Sequence, residues 1–561
     1  MSQLKDDIQI AEEAKIKNIV EIAGSIGLKP EDIEMHGKYV AKIPLDVLSR
    51  FDKNKNGKLI VVTAVTPTPA GEGKTVTTIG LIQGLSHIGK KVVGALREPS
   101  VGPTFGVKGG ATGGGHSQVY PMWDIDLHFT GDIHAVSSAH NLLSAILENN
   151  LVRDNPLMID PSRILLKKTM DMNCRELRQI IVGLGGSRSN GGVMHESGFL
   201  ITSASEISAI LALATSYTDL RERIERMVVA YTYAGEMVTV KDLGCVGAMM
   251  ILLKDALKPN LVQTLEGQPV FVHGFPFANI AHGNNSVIAT KYAMKLGDYA
   301  VTEAGFAADL GGEKFLDIVC RQAGIAPDCA VIVASIKALM THGGGKLEEP
   351  ETLTKEALQK GLSNLDKHIE NVKSYGVPVI VSINHFSFDD PEHMQMLRDH
   401  CKKLGAECVQ SDAFMDGGKG AEELARKVVE VIGKNKSNFK MLYEDDLPLK
   451  KKIEAIATKI YGADGVVYSG PAEKTLKTLE EKGYGKLPIC VAKTQYSLSD
   501  VAELKGAPKG WKLNVREVAL SAGAGFVVPI CGTMMLMPGL SKVPAAMKMD
   551  LTEDGKVRGL K

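Results

Sequence analysis

Short apolar runs alternate with amphipathic segments along most of the chain. The runs are rich in β-branched residues and are bounded by turn residues, a pattern that predicts strands. These predicted strands are Lys58–Val65, Lys91–Leu96, Val270–His273, Tyr299–Thr302, Cys329–Ser335 and Val377–Ile383. The amphipathic segments predict helices at Lys74–Ile88, Glu313–Gln322, Leu353–Ser374 and His393–Leu404. Because alternating strands and helices form right-handed βαβ units, the pattern predicts a mostly parallel sheet flanked by helices.

The pattern changes after about residue 437. Lys450–Tyr461 predicts a helix, and glycine-rich turns with short strands around Val466, Ile489, Val515 and Val527 follow it. A chain of 561 residues is long enough for several domains, since one domain takes roughly 150 residues. We therefore expect an α/β protein with a large domain over residues 1–360 and two smaller α/β domains over residues 361–445 and 446–561.

The composition narrows the class of protein. Lys plus Arg equals Asp plus Glu at 65 each, so the chain lacks the basic surplus of a general nucleic-acid binder. The eight cysteines are scattered without CxxC spacing, which favours reduced thiols over a disulfide framework or a zinc site. The N-terminal segment is charged and has no signal-peptide core. The uncharged stretch Val518–Ser541 contains several Gly and Pro residues, which favour buried strands over a membrane span. We expect a cytoplasmic protein with no membrane partner.

The most informative motif follows the first predicted strand of this alternating region. Residues 58–75 read KLIVVTAVTPTPAGEGKT, and an amphipathic helix continues from there. A strand, a glycine-rich turn and a helix N-terminus together build a site where backbone N–H groups converge on phosphate oxygens. The motif predicts an ATP-binding loop formed by Thr68, Pro69, Ala70, Gly71, Glu72, Gly73, Lys74 and Thr75. The motif also predicts that the large domain has a P-loop NTPase-like fold.

Three residues of this loop have specific expected features. Lys74 is predicted to reach the β- and γ-phosphates, and Thr75 to ligate Mg²⁺. Thr68 stands where the usual motif has glycine, so we expect it to adopt a backbone conformation that glycine would take more easily. The alternative, a turn that matches the motif by chance, is disfavoured by the strand before it and the helix after it.

The next predicted strand ends in Arg97-Glu98. In a parallel sheet Arg97 emerges beside the phosphate loop, where it could grip a phosphoryl or carboxylate group with two hydrogen bonds. A structural salt bridge is the alternative. Gly102–Gly115 follows, with seven glycines in fourteen residues, and we interpret it as a loop that approaches a ligand rather than as a linker.

Three further segments contain potential ligands. Asp52–Gly57 resembles half of a calcium-binding loop, but the position for the bidentate Glu is Thr63, so we interpret it as a turn. Asp124–His134 could bind metal or form a buried polar network. His273, with Phe275–His282, could form a hydrogen-bond cluster, core packing or a site wall, and we favour the wall.

Several long motifs in this chain resemble the formate–tetrahydrofolate ligase family. They are Thr66–Thr75, Arg97-Glu98, Gly106–His116, Phe277–Gly283, Thr302–Phe315, Val333–Gly344, Lys493–Asp500 and Leu520–Leu540. The likeness spans nearly the whole chain. The chain departs from the family pattern at Thr112, His116, Lys337 and Met340, so we assign Lys337 no catalytic role.

The resemblance implies that ATP, formate and tetrahydrofolate, possibly polyglutamylated, give 10-formyltetrahydrofolate, ADP and phosphate through a formyl phosphate intermediate. It implies catalytic roles for Lys74 and Arg97, and pterin stacking on Phe386 and Phe414 within a cleft to which the second domain contributes. It further implies activation by K⁺ or NH₄⁺, for which Glu98 is our candidate ligand, and a homotetramer. Two alternatives remain open: an ATP-dependent carboxylate ligase or small-molecule kinase that does not use folate, and a nucleotide-switched ATPase without a small-molecule product.

Overall fold

The computed structural model describes residues 5–69, 71–106, 112–185 and 191–560. The strands in these ranges are, in chain order, β1 Glu34–His36, β2 Val40–Lys42, β3 Lys58–Ala64, β4 Val92–Leu96, β5 Gly113–Gly114, β6 Ser117–Tyr120, β7 Ile159–Ile164, β8 Lys168–Thr169, β9 Ile180–Val182, β10 His195–Ser197, β11 Phe199–Leu200, β12 Val228–Thr232, β13 Met237–Thr239, β14 Asn260–Thr264, β15 Pro269–Val272, β16 Tyr299–Glu303, β17 Cys329–Ala334, β18 Val379–Asn384, β19 Glu407–Ser411, β20 Val466–Tyr468, β21 Leu513–Ser521, β22 Phe526–Cys531, β23 Asp550–Leu551 and β24 Val557–Arg558.

The helices in the same ranges are α1 Asp7–Glu13, α2 Ile19–Ser25, α3 Leu45–Ser49, α4 Lys74–His87, α5 Val101–Gly106, α6 Met122–Asp126, α7 Asp132–Val152, α8 Glu206–Leu213, α9 Tyr217–Glu225, α10 Val240–Leu243, α11 Val246–Leu253, α12 Val287–Leu296, α13 Cys320–Ala323, α14 Ile336–His342, α15 Lys355–Ser374, α16 Pro391–Lys403, α17 Ala413–Gly420, α18 Glu422–Lys434, α19 Leu449–Ala455 and α20 Gly470–Glu481. Three π-helical segments, Ala308–Gly312, Phe315–Val319 and Ile456–Ile460, accompany them.

A large, mostly parallel sheet organises the protein. Its strand order is β1-β2-β14-β15-β4-β16-β3-β17-β18-β19, with β5 and β6 attached through β14. The seven strands from β15 to β19 in this order are parallel to one another, whereas β1, β2, β6 and β14 form antiparallel pairs. The carboxyl ends of the parallel strands therefore meet at one edge, where ligands bind in sheets of this kind.

Both faces of this sheet are covered, which is why its central strands are continuous apolar runs. In β3 every residue from Leu59 to Ala64 is buried. One face packs against α4 and α18, and the other against helices that include α12 and α15. The fold is thus a mixed α/β structure, as the alternation predicted.

Most predicted elements coincide with observed ones to within a few residues. β3, β4, β16 and β17 confirm four predicted strands, and α15 confirms a predicted helix. The segment Glu313–Gln322 differs, because it continues from π-helical turns before reaching the α-helix Cys320–Ala323. A wider turn shifts side chains off the 3.6-residue period on which that prediction relied.

The C-terminal part forms a smaller sheet of its own. β20 pairs parallel with β21, β21 pairs antiparallel with β22, and α19 and α20 lie nearby. The expected boundary at residue 361 falls inside α15, and β18 and β19 continue the large sheet beyond it. The division into three domains stays a prediction.

Across the described ranges, none of the helices combines the length and apolar character that crossing a membrane requires.

Candidate active site

The predicted phosphate loop connects β3 to α4 at the carboxyl edge of the sheet. Gly71 and Gly73 have positive φ angles of 75° and 76°. A Cβ on Gly73 would lie 2.1 Å from Asn384 Nδ2 at the end of β18, so no side chain fits there. The glycine therefore lets the loop pack directly against a strand two positions away in the sheet, and α4 begins at the next residue, Lys74.

Inside the loop, Thr68 is held by Glu72. The backbone N and Oγ1 of Thr68 donate hydrogen bonds to Glu72 Oε1 at 2.5 and 3.0 Å. Both side chains are buried, while Pro69 is exposed. The expectation that Thr68 takes a glycine-like conformation is wrong, because its φ is not positive. Ala70, also predicted to bind ATP, lies outside the described residues.

Lys74 and Thr75, the first residues of α4, share one carboxylate partner. Lys74 Nζ and Thr75 Oγ1 donate to Glu303 Oε2 at 2.9 and 3.0 Å. The Glu303 side chain is 3% exposed and ends β16, the strand beside β3. Glu303 was not among the site residues predicted from the sequence. Its position at the carboxyl end of a predicted parallel strand could have indicated a role, because neighbouring parallel strands end at the same edge of the sheet as the phosphate loop.

Arg97 follows β4, on the other side of β16. Its Nη1 donates to the carbonyl oxygen of Pro276 at 3.1 Å, and its guanidinium carbon lies 5.7 Å from the centre of the Phe277 ring. Burial lowers the pKa of the Arg97 guanidinium, and the negative charge of Glu303 opposes that shift. The sheet thus brings Arg97, Glu303 and Lys74 to the carboxyl edge of three successive strands.

The neighbouring Glu98 is a buried carboxyl group. Its side chain is 2% exposed, and Oε2 has no hydrogen-bond partner among the described residues. Its backbone N donates to Gly274 O at 2.9 Å, which ties the end of β4 to the segment after β15. Burial, and then the charge of Asp132, raise the pKa of this carboxyl group well above its ordinary value.

Phe386 and Phe414 follow β18 and β19, which are adjacent parallel strands. Phe386 stacks on Phe388 with ring centres 5.3 Å apart and an interplanar angle of 10°. Phe414, on α17, is 39% exposed, and its carbonyl oxygen accepts a hydrogen bond from His116 N at 2.9 Å. The residue that follows the glycine-rich segment is therefore hydrogen-bonded to the first turn of α17, which carries Phe414.

The rest of Gly102–Gly115 is only partly described. Residues 101–106 form α5, residues 113 and 114 form β5, and residues 107–111 lie outside the described residues. A Cβ on Gly115 would lie 2.1 Å from Phe414 O, so the glycine permits close backbone packing at this point.

The other candidate ligands belong to the protein interior. Asp132 accepts hydrogen bonds from Lys42 Nζ at 2.8 Å and Asn260 Nδ2 at 2.9 Å, which is a buried polar network. His273 is buried with its nitrogens 2.7 Å from Ser286 Oγ and 2.7 Å from Ala256 O, so the preference for a site wall is wrong for this residue. Within the described ranges, no group of three or more His, Cys, Asp or Glu side chains is arranged to hold a metal ion.

One comparison with known proteins bears on this site. A family model described as formate–tetrahydrofolate ligase matches residues 5–561, essentially the whole chain. The match includes every strand of the large sheet and each of the segments that meet at its carboxyl edge. The chain therefore belongs to the formate–tetrahydrofolate ligase family, a family of carbon–nitrogen ligases, which implies ATP-dependent ligation of formate to tetrahydrofolate.

Proposed function

We propose that this chain makes 10-formyltetrahydrofolate, ADP and phosphate through a formyl phosphate intermediate, at the carboxyl edge of the large sheet. The convergence of Lys74, Thr75 and Arg97 around Glu303 carries the proposal. The Lys74 ammonium and the Arg97 guanidinium lie near the glycine-containing N-terminus of α4. These positive groups suit the binding of a triphosphate whose γ-phosphoryl group is attacked by a carboxylate.

The chemistry explains why ATP is needed. Formate is a poor electrophile, because an amine that attacks it would have to expel oxide. In the first step a formate oxygen bonds to the γ-phosphorus, and the bond from that phosphorus to the bridging oxygen breaks to release ADP. In the second step N10 of tetrahydrofolate attacks the formyl carbon, the carbon–oxygen bond to phosphate breaks, and N10 loses its proton.

The phosphate loop, residues 68–75, would hold the triphosphate in a P-loop NTPase-like manner. Its backbone N–H groups and the α4 N-terminus supply partial positive charge, and Lys74 neutralises the γ-phosphoryl group as it transfers. Positioning and charge stabilisation are the main contributions a protein makes to phosphoryl transfer.

Arg97 would hold formate and then the oxygens of formyl phosphate. A guanidinium presents parallel N–H groups that match a carboxylate, a geometry that lysine lacks. The contacts of Arg97 with Pro276 O and the Phe277 ring fix the guanidinium at the edge of the sheet.

Mg²⁺ and the activating monovalent cation would bind at two different groups of oxygen atoms. Thr75 Oγ1, with Glu303 beside it, provides oxygen donors of the type that Mg²⁺ prefers, and Mg²⁺ would supply neutralisation of phosphate charge. Glu98 Oε2, buried without a hydrogen-bond partner, fits a monovalent cation such as K⁺ or NH₄⁺, which would supply a balancing positive charge.

Phe386 and Phe414 would bind the pterin of tetrahydrofolate. Flat heteroaromatic rings favour aromatic faces, and both residues stand at the same edge of the sheet as Lys74. The exposed fraction of Phe414 leaves part of its ring available to a ligand. The homotetramer and the contribution of a second domain to a folate cleft belong to this proposal as well.

The test is a reaction with ATP, Mg²⁺, formate and tetrahydrofolate, in which the acid-formed methenyl product is measured by absorbance. Omitting tetrahydrofolate or formate in turn provides the controls. Product that requires all three substrates supports the proposal, whereas formate-independent ATP hydrolysis as the sole activity contradicts it. Transfer of ¹⁸O from formate to phosphate tests the formyl phosphate intermediate.

A further inference from the structure

Thr66 lies where the chain leaves β3 and enters the phosphate loop, and other side chains bind all of its polar groups. The Thr66 backbone N donates to Asn364 Oδ1 at 3.2 Å, and its carbonyl oxygen lies 2.7 Å from His342 Nε2. Its Oγ1 lies 2.9 Å from Asn364 Nδ2 and 3.0 Å from His368 Nε2. We call Thr66, His342, Asn364 and His368 the Thr66 clamp.

The clamp is buried and comes from two helices on one side of the sheet. His342 ends α14, which follows β17, the strand beside β3. Asn364 and His368 lie one turn apart on α15 and therefore on one face of it. Thr66, Asn364 and His368 are fully buried, and His342 is 4% exposed.

The hydrogen-bond pattern fixes the roles of these groups. Since Asn364 Oδ1 accepts from the Thr66 N–H, Asn364 Nδ2 is the donor to Thr66 Oγ1. The Thr66 hydroxyl can then donate to a neutral His368, and His342 Nε2 donates to the Thr66 carbonyl oxygen. Burial lowers the pKa of both histidines to about 4, so both rings are neutral at pH 7.

The C-terminal part of the chain completes this arrangement. Asn364 Nδ2 also donates to Gly506 O at 2.9 Å. A Cβ on Gly506 would lie 3.1 Å from Ser363 Oγ, so this segment packs closely on α15. The amide of Asn364 thus connects the start of the phosphate loop to a segment that lies 142 residues beyond Asn364 along the chain.

We propose that the Thr66 clamp is a positioning device that sets the direction in which the phosphate loop leaves β3, and so aligns its amides and Lys74 with the triphosphate of ATP. This inference rests on the proposed function, because it requires the loop to bind ATP. The four residues are thus positioning residues, which act through the loop and take no chemical part in the reaction. Fixing the loop before binding lowers the ordering cost that binding would otherwise include.

Thr66→Val tests the proposal, because it keeps the side-chain shape and removes the hydroxyl. We expect the KM for ATP to rise about tenfold, the scale of one buried hydrogen bond, with the KM values for formate and tetrahydrofolate unchanged. Thr66→Ser restores the hydroxyl and should return the KM for ATP to within about twofold of the wild-type value. A purely structural defect would instead lower the amount of active enzyme without changing the KM for ATP.

Thr290→Val is the matched control. Thr290 Oγ1 is buried in α12 and accepts a hydrogen bond from Asn285 Nδ2 at 2.9 Å, so the substitution removes a comparable hydroxyl away from the loop. The KM for ATP of this variant should equal that of the wild type. Unfolding midpoints of all variants show how much stability each substitution removes.

His368→Leu decides the question if Thr66→Val does not fold. His368 Nδ1 has no hydrogen-bond partner among the described residues, so replacing the ring removes a group that is only half satisfied. Its KM for ATP should rise in the same direction as that of Thr66→Val. If either variant folds and has the same KM for ATP as the wild type, the inference is overturned.

Calorimetric titration with ATP tests the proposed function and the Thr66 clamp separately. Absence of ATP affinity in the wild type would refute the proposed function itself. ATP affinity that Lys74→Ala loses and Thr66→Val fully retains would refute the clamp alone. Weaker ATP binding by Thr66→Val than by Thr290→Val supports the clamp.

Discussion

Lys74 Nζ lies 2.9 Å from Glu303 Oε2, although 229 residues separate them along the chain. The pair exists because β3 and β16 are parallel neighbours, so Lys74 in the loop that follows β3 and the last residue of β16 meet at one edge. The same carboxylate accepts a hydrogen bond from Thr75 Oγ1. One buried acid thereby orients two side chains of the phosphate loop.

Lys74→Ala should reduce turnover about 100-fold or more, because it removes the ammonium group that we propose faces the transferring phosphoryl group. Initial rates at saturating formate and tetrahydrofolate measure this effect. Lys58→Ala is the control, since Lys58 pairs with Asp328 at 2.9 Å at the opposite end of β3. Near-normal turnover in folded Lys74→Ala would contradict the role of Lys74.

Glu303→Gln should lower both turnover and the unfolding midpoint. The substitution removes the negative charge of a largely buried ion pair, since Glu303 is 3% exposed and Lys74 is 15% exposed. Adding Lys74→Met to Glu303→Gln should recover part of the lost stability, because both charges of the buried pair are then removed together. Activity should stay low, because the proposed contact of Lys74 with phosphate is still missing. Thermal unfolding and initial rates of the single and double variants measure the two effects separately. Additive losses of stability would show that the pair is not coupled.

Arg97→Lys should raise the KM for formate about tenfold, while Arg97→Ser should abolish most turnover. Lysine keeps the charge but loses the parallel N–H groups that match a carboxylate. The measurement is formate saturation at fixed, saturating ATP and tetrahydrofolate. An unchanged formate KM in Arg97→Lys would place formate away from this guanidinium.

Phe414→Leu should raise the KM for tetrahydrofolate about fivefold to tenfold, because leucine keeps much of the apolar area but provides no aromatic face. The KM for ATP should stay unchanged. Phe51→Leu, in the turn before β3 and so at the opposite edge of the sheet, is the control. Equal folate KM values in the two variants would argue against stacking on Phe414.

The local features of this protein could be predicted from its sequence. The strand Lys58–Ala64 and the helix from Lys74 were predicted because a buried apolar run and an amphipathic segment each leave a periodic signal. The glycine turn between them could also be predicted, since its residues are consecutive in the motif, while its binding of ATP stays a prediction. The assumed strain at Thr68 was wrong, because the Glu72 carboxylate binds Thr68 in an ordinary conformation.

The features that sequence reasoning missed depend on which strands become neighbours. Glu303 reaches Lys74, and His342 reaches Thr66, only because β16 and β17 flank β3. Asn364 was part of a correctly predicted helix, yet helical periodicity does not show what a buried amide binds. Likewise, no apolar pattern distinguishes the π-helical turns at Ala308–Gly312 from an α-helix.

The last prediction concerns the pH dependence of stability and a carboxyl group outside the candidate active site. Asp126 is fully buried, with Thr112 Oγ1 donating to its Oδ2 at 3.1 Å. Burial raises its pKa from 3.8 to about 7, and the hydrogen bond from Thr112 opposes that rise. The folded state therefore keeps a proton that the unfolded chain releases. The stability this proton provides is complete below pH 3.8 and is lost as the pH rises through about 7.

Asp126→Asn removes this titration while keeping the shape of the side chain. Between pH 5 and pH 8 the stability of the variant, relative to wild type, should therefore increase by about 3 kcal/mol at most, which raises its relative unfolding midpoint. Thermal unfolding at the two pH values measures the shift, and the exposed Asp446→Asn is the control. A difference between Asp126→Asn and wild type that is the same at both pH values would mean that this carboxyl group titrates normally in the folded protein, and that its burial is relieved by water.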